Sequence, residues 1–509
     1  MLQSMRYAMP EIALAIGALV VITWNAFVRG RARFAGVISG ALLALIFSAI
    51  ASAQGLRAVP RWPLPALLFD GQRSCDAYAC GFRLLFAVVT AIVLLATVPT
   101  GSAQVSGARG HDVRGEMVAL ILVACLGMNL MAMAHTLLLV YLAIETVSVS
   151  SFVLSALHSS DVARSQTAAL KYVVYGGTAS GVMLFGMSWL YGLSHSIALP
   201  EIAERSLVMT RELGHVPNAV GIAAACVLVG LAYKVAAVPF HMWAPDVYEA
   251  APGLVAGFLA VGPPAAGLAL LVRVAREGFS VQSLAAEPLA VWSILAGSLA
   301  VMTMTVANLA ALAQTEMKRL LSYATIAQAG TMLLAVSVFD AEGISALAFY
   351  LVAYCCMTLG AFVVAFVVSQ ASGGDGSIAA LRGLGSRAPA LAAALTVFLV
   401  SLVGLPPCAG FTAKVYVIAS LLRAPGEYHA WYWLLACAGI GNMAVAMRYT
   451  MRVLRTMYLQ PPAETSSERV FVHKVHGLIT LALAIPTLLL GVFWGPLYDF
   501  ISERVSTLP

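Results

Sequence analysis

Four ionisable residues lie inside long apolar stretches, where such groups are rare. Glu145 occurs in Leu142-Ala143-Ile144-Glu145-Thr146, Lys171 in Ala169-Leu170-Lys171-Tyr172, Lys234 just before Pro239, and Lys414 just after Pro406-Pro407. A charge at the centre of a membrane-spanning helix costs about 2.5–3.5 kcal/mol on insertion scales, so a residue of this kind faces a protein interior or a water-filled path and has a task there. Lysine suits a proton relay. Burial favours its neutral amine and a nearby carboxylate restores the ammonium, so a Lys–Glu pair whose separation changes takes up and releases a proton. Glu145 and Lys234 are the candidates for that pair, and Lys414 for a second station. Lys171, a turn or two inside its helix, admits two readings: a relay member, or a side chain that snorkels to the membrane surface.

Side chains held at depth need spanning helices, and a run of ~18 or more apolar residues crosses the ~30 Å of hydrocarbon at 1.5 Å per residue. Apolar runs bounded by Gly, Pro and charges predict fourteen helices, near 10–28, 36–53, 83–100, 115–134, 136–156, 166–193, 218–240, 252–274, 288–313, 319–338, 342–370, 388–421, 428–458 and 474–498. The expected fold is therefore an all-α polytopic membrane protein. The first run ends at Phe27-Val28-Arg29 without a small-residue cleavage site and reads as a span rather than a leader. Polar loops are expected at 54–82 and 194–217.

Lys234 and Lys414 are 180 residues apart, an offset of about five helices, and each belongs to a proline-interrupted span. Broken helices at corresponding places in two inverted halves point to a transport site, and the backbone groups they free need a cavity or water.

Composition agrees with a membrane solvent. Of 509 residues, 61% are hydrophobic and 10% charged, whereas soluble domains carry about 25% charged residues. The net charge of +6 is spread in short clusters between apolar runs, which marks topogenic charge rather than nucleic-acid binding. Arg29, Arg31, Arg33, Arg109, Arg114, Arg164, Lys318, Arg319, Arg382, Arg387, Arg452, Arg455 and Lys474 follow odd-numbered spans, which places those loops in the cytoplasm and both termini outside. Arg57, Arg61, Arg73, Arg205, Arg211, Arg273 and Arg276 fall on the other side. Six of the eight cysteines lie in apolar runs and read as small core residues. Cys75 and Cys80 share a loop, so a disulfide is open there. No metal site is implied.

The run from Lys234 through Pro239-Phe240-His241-Met242-Trp243-Ala244-Pro245-Asp246-Val247-Tyr248-Glu249 to Ala250-Ala251-Pro252 closely resembles the signature of the antiporter-like membrane subunits of respiratory complex I, the proton-translocating NADH-quinone oxidoreductase. Pro10-Glu11-Ile12, Leu126-Gly127-Met128, Ala168-Ala169-Leu170-Lys171-Tyr172, Asn308-Leu309-Ala310-Ala311-Leu312, Lys318-Arg319-Leu320-Leu321-Ser322-Tyr323 and Leu405-Pro406-Pro407 with Gly410-Phe411 extend the resemblance over nearly the whole chain. It is strongest to the N-type branch: the M-type has a glutamate where Lys414 stands, and the L-type carries a further lateral helix.

The resemblance implies an antiporter-like fold in the cell inner membrane, divided into three helices in 1–114, a first five-helix repeat in 115–275, an inverted second repeat in 288–458, and a last loop and helix in 459–509. Glu145 and Lys234 become the charged pair of a first half-channel, and Lys414 the terminal lysine of a second. It implies proton translocation driven by NADH oxidation and quinone reduction elsewhere. No cofactor is expected in this chain, because FMN, iron–sulfur clusters and quinone belong to other subunits. The expected partners are the lipid bilayer and other membrane subunits, especially the M-, K- and J-type neighbours. Two positions depart from the family. Its central lysine aligns with Pro264, next to Pro263, and its histidine in the tenth helix with Gln328. A structural antiporter-like subunit of complex I or of a hydrogenase-type complex, with an impaired proton path, is therefore the alternative, and a free-standing secondary transporter a third reading. His241 and Trp243 read as an anchor at the cytoplasmic end of the seventh helix, and Asp246 and Glu249 as subunit contacts or water-access groups.

Overall fold

The structure, a computed structural model, describes residues 5–505 except 6, 30, 59–65, 69–70, 72, 99–111, 158–161, 280–285, 425–428 and 463–469. Arg61 and Arg109, counted above as topogenic charges, lie outside the described residues.

Helices α1 (Met9–Phe27), α2 (Arg31–Ala58) and α3 (Ala77–Ala96) come first, with a two-stranded hairpin, β1 (Ala66–Leu68) antiparallel to β2 (Arg73–Cys75), between α2 and α3. There follow α4 (Asp112–Met133), α5 (Leu137–Ala156), α6 (Val162–Ser194), α7 (Leu199–Leu213), α8 (Asn218–Val235), α9 (Trp243–Ala250) and α10 (Gly253–Arg273), which continues into a π turn, Val274–Gly278. The second half contains α11 (Ala286–Leu312), α12 (Met317–Val336), α13 (Ala341–Ala371), a 3-10 turn (Ile378–Leu381), α14 (Leu384–Arg387), α15 (Pro389–Val403), α16 (Ala409–Arg423) and α17 (His429–Leu459). The chain closes with α18 (Lys474–Val492) and α19 (Gly495–Val505).

Among the described residues, twelve helices are long and apolar enough to cross a membrane by themselves. Helix α12, with Lys318 and Arg319 in its first turn, and the interrupted pair α15–α16 complete the expected set.

Five expected boundaries change. The helix expected over 218–240 stops at Val235, because Ala236 turns left-handed (φ 58) and the chain re-enters a helix only at Trp243. The helix expected over 388–421 is two helices, interrupted where Gly404 takes φ 88 ahead of Pro406-Pro407. The loop expected over 194–217 holds α7, which has Pro200 in its first turn, buries Leu199, Ile202 and Ala203 on one face, and is capped by left-handed Gly214. The last spanning helix ends at Val492 rather than near 498. Within the loop expected over 54–82, α3 begins early: the Asp76 carboxylate accepts the Ala79 N–H at 2.7 Å and caps the helix. Cys75 and Cys80 are free thiols whose Sγ atoms stand 3.9 Å apart.

The repeat is visible in the backbone. An antiparallel bridge joins Thr136 at the start of α5 to Ala198 after α6, and another joins Glu316 at the start of α12 to Ser377 after α13. In the first, Leu137 N–H donates to Ile197 C=O at 2.8 Å and Leu199 N–H to His135 C=O at 3.0 Å. In the second, Met317 N–H donates to Gly376 C=O at 2.9 Å and Ile378 N–H to Thr315 C=O at 2.8 Å. Thr136 and Glu316 are 180 residues apart, the same spacing as the two lysines. The helix breaks follow a different spacing: Ala236 and Gly404, the left-handed residues, are 168 apart, as are Pro239 and Pro407, each preceded by a cis peptide bond. The connection from corner to break is shorter in the second repeat, where the 3-10 turn and α14 stand in the place of α7.

Helix α10 is the centre of the molecule. Every residue from Gly253 to Arg273 is buried, as a helix apolar on all sides must be, and α10 packs against α3, α4, α8, α9, α12 and α13. Peripheral helices expose large apolar side chains, among them Phe27, Leu43, Leu170 and Trp433, a surface that suits lipid or neighbouring subunits and not water.

Candidate functional site

Lys234 sits in the last turn of α8, 1% exposed, and its ammonium donates to the Ser148 hydroxyl of α5 at 3.1 Å. Its stem crosses α10 at Gly267, where a methyl group would come within 3.3 Å of the Lys234 Cγ and 3.0 Å of Val235. The end of α8 is closed by Ala237 N–H on Ala232 C=O at 2.8 Å, and Val238 N–H leaves the helix to the Thr303 hydroxyl at 3.0 Å. These bonds supply partners for groups that the end of the helix leaves free.

Glu145 lies one turn before Ser148 on the same helix, so the two share a face. Its carboxylate accepts a short hydrogen bond from the Ser180 hydroxyl of α6. Among the described residues, Glu145 and Lys234 make no ion pair with each other. Ser148 takes the lysine, Ser180 takes the glutamate, and both serines were missed in the sequence because serine in a helix usually bonds its own backbone.

Lys171 has a different setting. Its side chain is half exposed and pairs with Asp246 at 2.6 Å. Asp246 also faces Arg319 at 3.3 Å, and Arg319 bonds Glu249 at 3.0 Å. Arg164 closes on the other Glu249 oxygen, and the Lys318 ammonium donates to the Ala251 carbonyl at 3.0 Å. Arg164 and Lys171 belong to α6 and Lys318 and Arg319 to α12, so the short helix α9 clamps the two repeats together through its acids. Glu316, at the start of α12, is held above the usual carboxylate range by its partial burial, with the charges of Glu249 and Asp375 adding to the effect. Trp243 is not an interface anchor: it is buried and stacks on Tyr172, ring centres 4.2 Å apart and planes 11° apart.

Lys414 is buried in the first turns of α16 and reaches back over the helix break. Its ammonium donates to the Leu402 carbonyl at 2.9 Å and the Val403 carbonyl at 2.8 Å, the end of α15. A cation at a helix C-terminus is favourably placed against the helix dipole. Gly404 makes this approach possible, because a Cβ there would stand 2.6 Å from the Lys414 Cδ. The Gln328 amide donates to the same Leu402 carbonyl at 2.9 Å and accepts a short hydrogen bond from the Tyr350 hydroxyl. Gln328 thus joins Lys414 through a shared acceptor. A cavity of about 20 Å³ adjoins them, lined also by Asn308 and Asn442. That volume holds roughly one water by the usual requirement of ~10–15 Å³. Asn308 donates to the Asn442 side chain at 3.1 Å and accepts from the Tyr449 hydroxyl at 3.2 Å, so the cavity wall is polar and ordered.

A further buried network went unread in the sequence. Arg273, at the end of α10, bonds Asp76 at 2.8 Å and Glu277 at 2.5 Å, and Glu277 meets His135 at 2.8 Å. Arg273 was counted above only as a topogenic charge. Among the described residues no cluster of His, Cys, Asp and Glu could hold a metal ion.

With this geometry in hand, likeness to known proteins is informative. Residues 134–441 match the family profile described as NADH:quinone oxidoreductase/Mrp antiporter, TM. A protein of Sorangium cellulosum (strain So ce56) called NADH-quinone oxidoreductase subunit N 2 is 46% identical over 99% of this chain and 98% of its own. A chain in the respiratory complex I of Thermus thermophilus with bound aureothin superposes with a TM-score of 0.75 at 29% identity, covering 96% of this chain and 98% of that one. A chain of the Mrp complex from Dietzia sp. DQ12-45-1b gives 0.81 at 18% identity over 99% and 97%, which speaks to the fold alone. The chain belongs to the subunit N family of NADH-quinone oxidoreductases, the antiporter-like membrane subunits.

Proposed function

We propose that this chain is a membrane-arm subunit of an NADH:quinone oxidoreductase and moves protons through two linked stations. Glu145, Ser148 and Lys234 form the first, and Lys414 with Gln328 and the Leu402 carbonyl the second. The observation that carries the reading is the pairing of two buried lysines with two interrupted helices, one amine turned from its break to Ser148 and the other seated on the carbonyls at its break. Lys171, paired with Asp246 at the rim, belongs to the clamp between repeats and supplies a surface charge near the first station. On this reading both termini face the outer side of the cell inner membrane, residues 115–275 and 288–458 are the two repeat units, and M-, K- and J-type subunits are the neighbours. Electron transfer by FMN, iron–sulfur clusters and quinone takes place in other subunits of the assembly.

The alternative, a structural subunit that conducts few protons, is favoured by one observation: proline and glutamine, which do not titrate, occupy positions 264 and 328. The two readings separate in membranes carrying the assembled complex. Lys234→Ala and Lys414→Ala are each expected to lower NADH-driven proton pumping about tenfold or more, the scale on which a lost proton-transfer group acts. Full pumping and full quinone reductase activity in both variants would leave the structural role.

A further inference from the structure

Pro263 and Pro264 stand in the middle of α10, the most buried helix of the molecule. Proline has no N–H, so the carbonyls four residues earlier, of Leu259 and Ala260, lose their helical donors. A buried carbonyl left in this state is costly and normally finds another partner. Here both partners are tyrosines from other helices. The Tyr248 hydroxyl of α9 donates to Leu259 C=O at 3.1 Å, and the Tyr354 hydroxyl of α13 donates to Ala260 C=O at 2.6 Å. Both rings are at most 1% exposed.

The surroundings extend this arrangement in both directions. Tyr350 lies one turn before Tyr354 on α13 and bonds Gln328, which shares the Leu402 carbonyl with Lys414. On the other side, Tyr248 meets Trp243 edge-on, ring centres 6.0 Å apart, and Trp243 lies 5.3 Å from the ring of Tyr233, the neighbour of Lys234. The double-proline break thus lies along a run of side-chain contacts between the two lysines, and two hydroxyls bond the carbonyls it frees.

We propose that Tyr248 and Tyr354 are relay hydroxyls that carry a proton past the double-proline break, with the Leu259 and Ala260 carbonyls as their resting acceptors. The inference rests on the proton-moving reading above. A hydroxyl has one donor hydrogen and free lone pairs. It accepts a proton on the oxygen while its own O–H bond breaks toward the next water or side chain, so charge crosses the residue and the phenol ends neutral. Rotation back onto the carbonyl resets it. The two carbonyl dipoles, released from the helix, stabilise the positive charge while it passes, a part that fully paired helical carbonyls fill less well.

A merely structural tyrosine, present to fill an orphaned acceptor, behaves differently, and one pair of variants distinguishes the two roles. Tyr354→Phe keeps the ring and removes the hydroxyl. Pro264→Ala returns a backbone N–H to the Ala260 carbonyl. In assembled complex, with pumping normalised to the amount of complex, Tyr354→Phe is expected to lower NADH-driven proton pumping at least threefold, and the double variant Tyr354→Phe with Pro264→Ala to assemble normally and stay low. Recovery of pumping in the double variant, or unchanged pumping in Tyr354→Phe, overturns the proposal. If Tyr354→Phe does not assemble, the double variant decides alone, because its carbonyl is satisfied. Lys234→Ala and Lys414→Ala in the same assay keep the two claims apart: if they pump fully, the proton-moving reading fails, and if only the tyrosine variants do, this inference fails by itself.

Discussion

At the break after α8, the lysine lies on the helix that ends, and it turns away from the break to a single serine on α5. At the break between α15 and α16, the lysine lies on the helix that begins, and it reaches back across the gap to two carbonyls. The two sites share a left-handed residue and a proline, yet their lysines are not equivalent. Counted from the breaks, the position matching Lys414 is Asp246, and the position matching Lys234 is Leu402, whose carbonyl holds Lys414. The repeat thus reused one backbone interruption in two ways. One lysine leans on a neighbouring helix that also carries Glu145, and the other is built into the interruption itself.

The most demanding test of this contrast compares Lys234→Met with Lys414→Met in detergent. Relief from burying an ammonium is common to both variants and cancels in the difference. Lys414→Met leaves the Val403 carbonyl without a donor, at about 1–3 kcal/mol, while Leu402 keeps the Gln328 amide, whereas Lys234→Met leaves one hydroxyl that can turn to its own helix. Thermal unfolding is expected to place Lys414→Met about 1–3 kcal/mol below Lys234→Met. Equal stabilities would mean that the second lysine is no more built in than the first.

A smaller effect is expected at the left-handed residues. Gly404→Ala adds about 1–2 kcal/mol of backbone strain, and its Cβ drives into the Lys414 stem, so both stability and pumping fall. Ala236→Gly removes a similar strain but loses a buried methyl worth about 0.8 kcal/mol, so its stability stays within about 1 kcal/mol of the parent. A large loss at Ala236 would erase the asymmetry. The smallest expected change is that of Ser148→Ala. Loss of one hydrogen bond, about 1 kcal/mol, slows pumping roughly five-fold without unfolding the protein. Stopped-flow measurement of pumping in vesicles would resolve it, and an unchanged rate would remove Ser148 from the path.

Much of the scaffold was legible because membrane helices announce themselves by length and apolarity, and the buried lysines by being exceptions to it. What escaped was local. Helix α7 carries too many charges to pass as a span and so reads as a loop, although Pro200 and Gly214 mark its two ends. The interruption at Val235 was blurred because Lys234 through Phe240 is apolar enough to continue a helix. The serines and the Leu402 carbonyl were invisible, since backbone acceptors have no sequence signature and serine is common in such helices. Pro264 and Gln328 looked like losses when compared with the family. In space, one is bracketed by tyrosine hydroxyls and the other is wired to Lys414.

The acidic clamp on α9 has a mechanical side. Its eight residues are gripped by α6 through Arg164 and Lys171 and by α12 through Arg319, and only Ala251 and Pro252 separate them from α10. A sliding of α6 against α12 therefore loads α9 in shear, and a link of two residues is too short to absorb it. The central helix, double proline included, is the member that receives the strain.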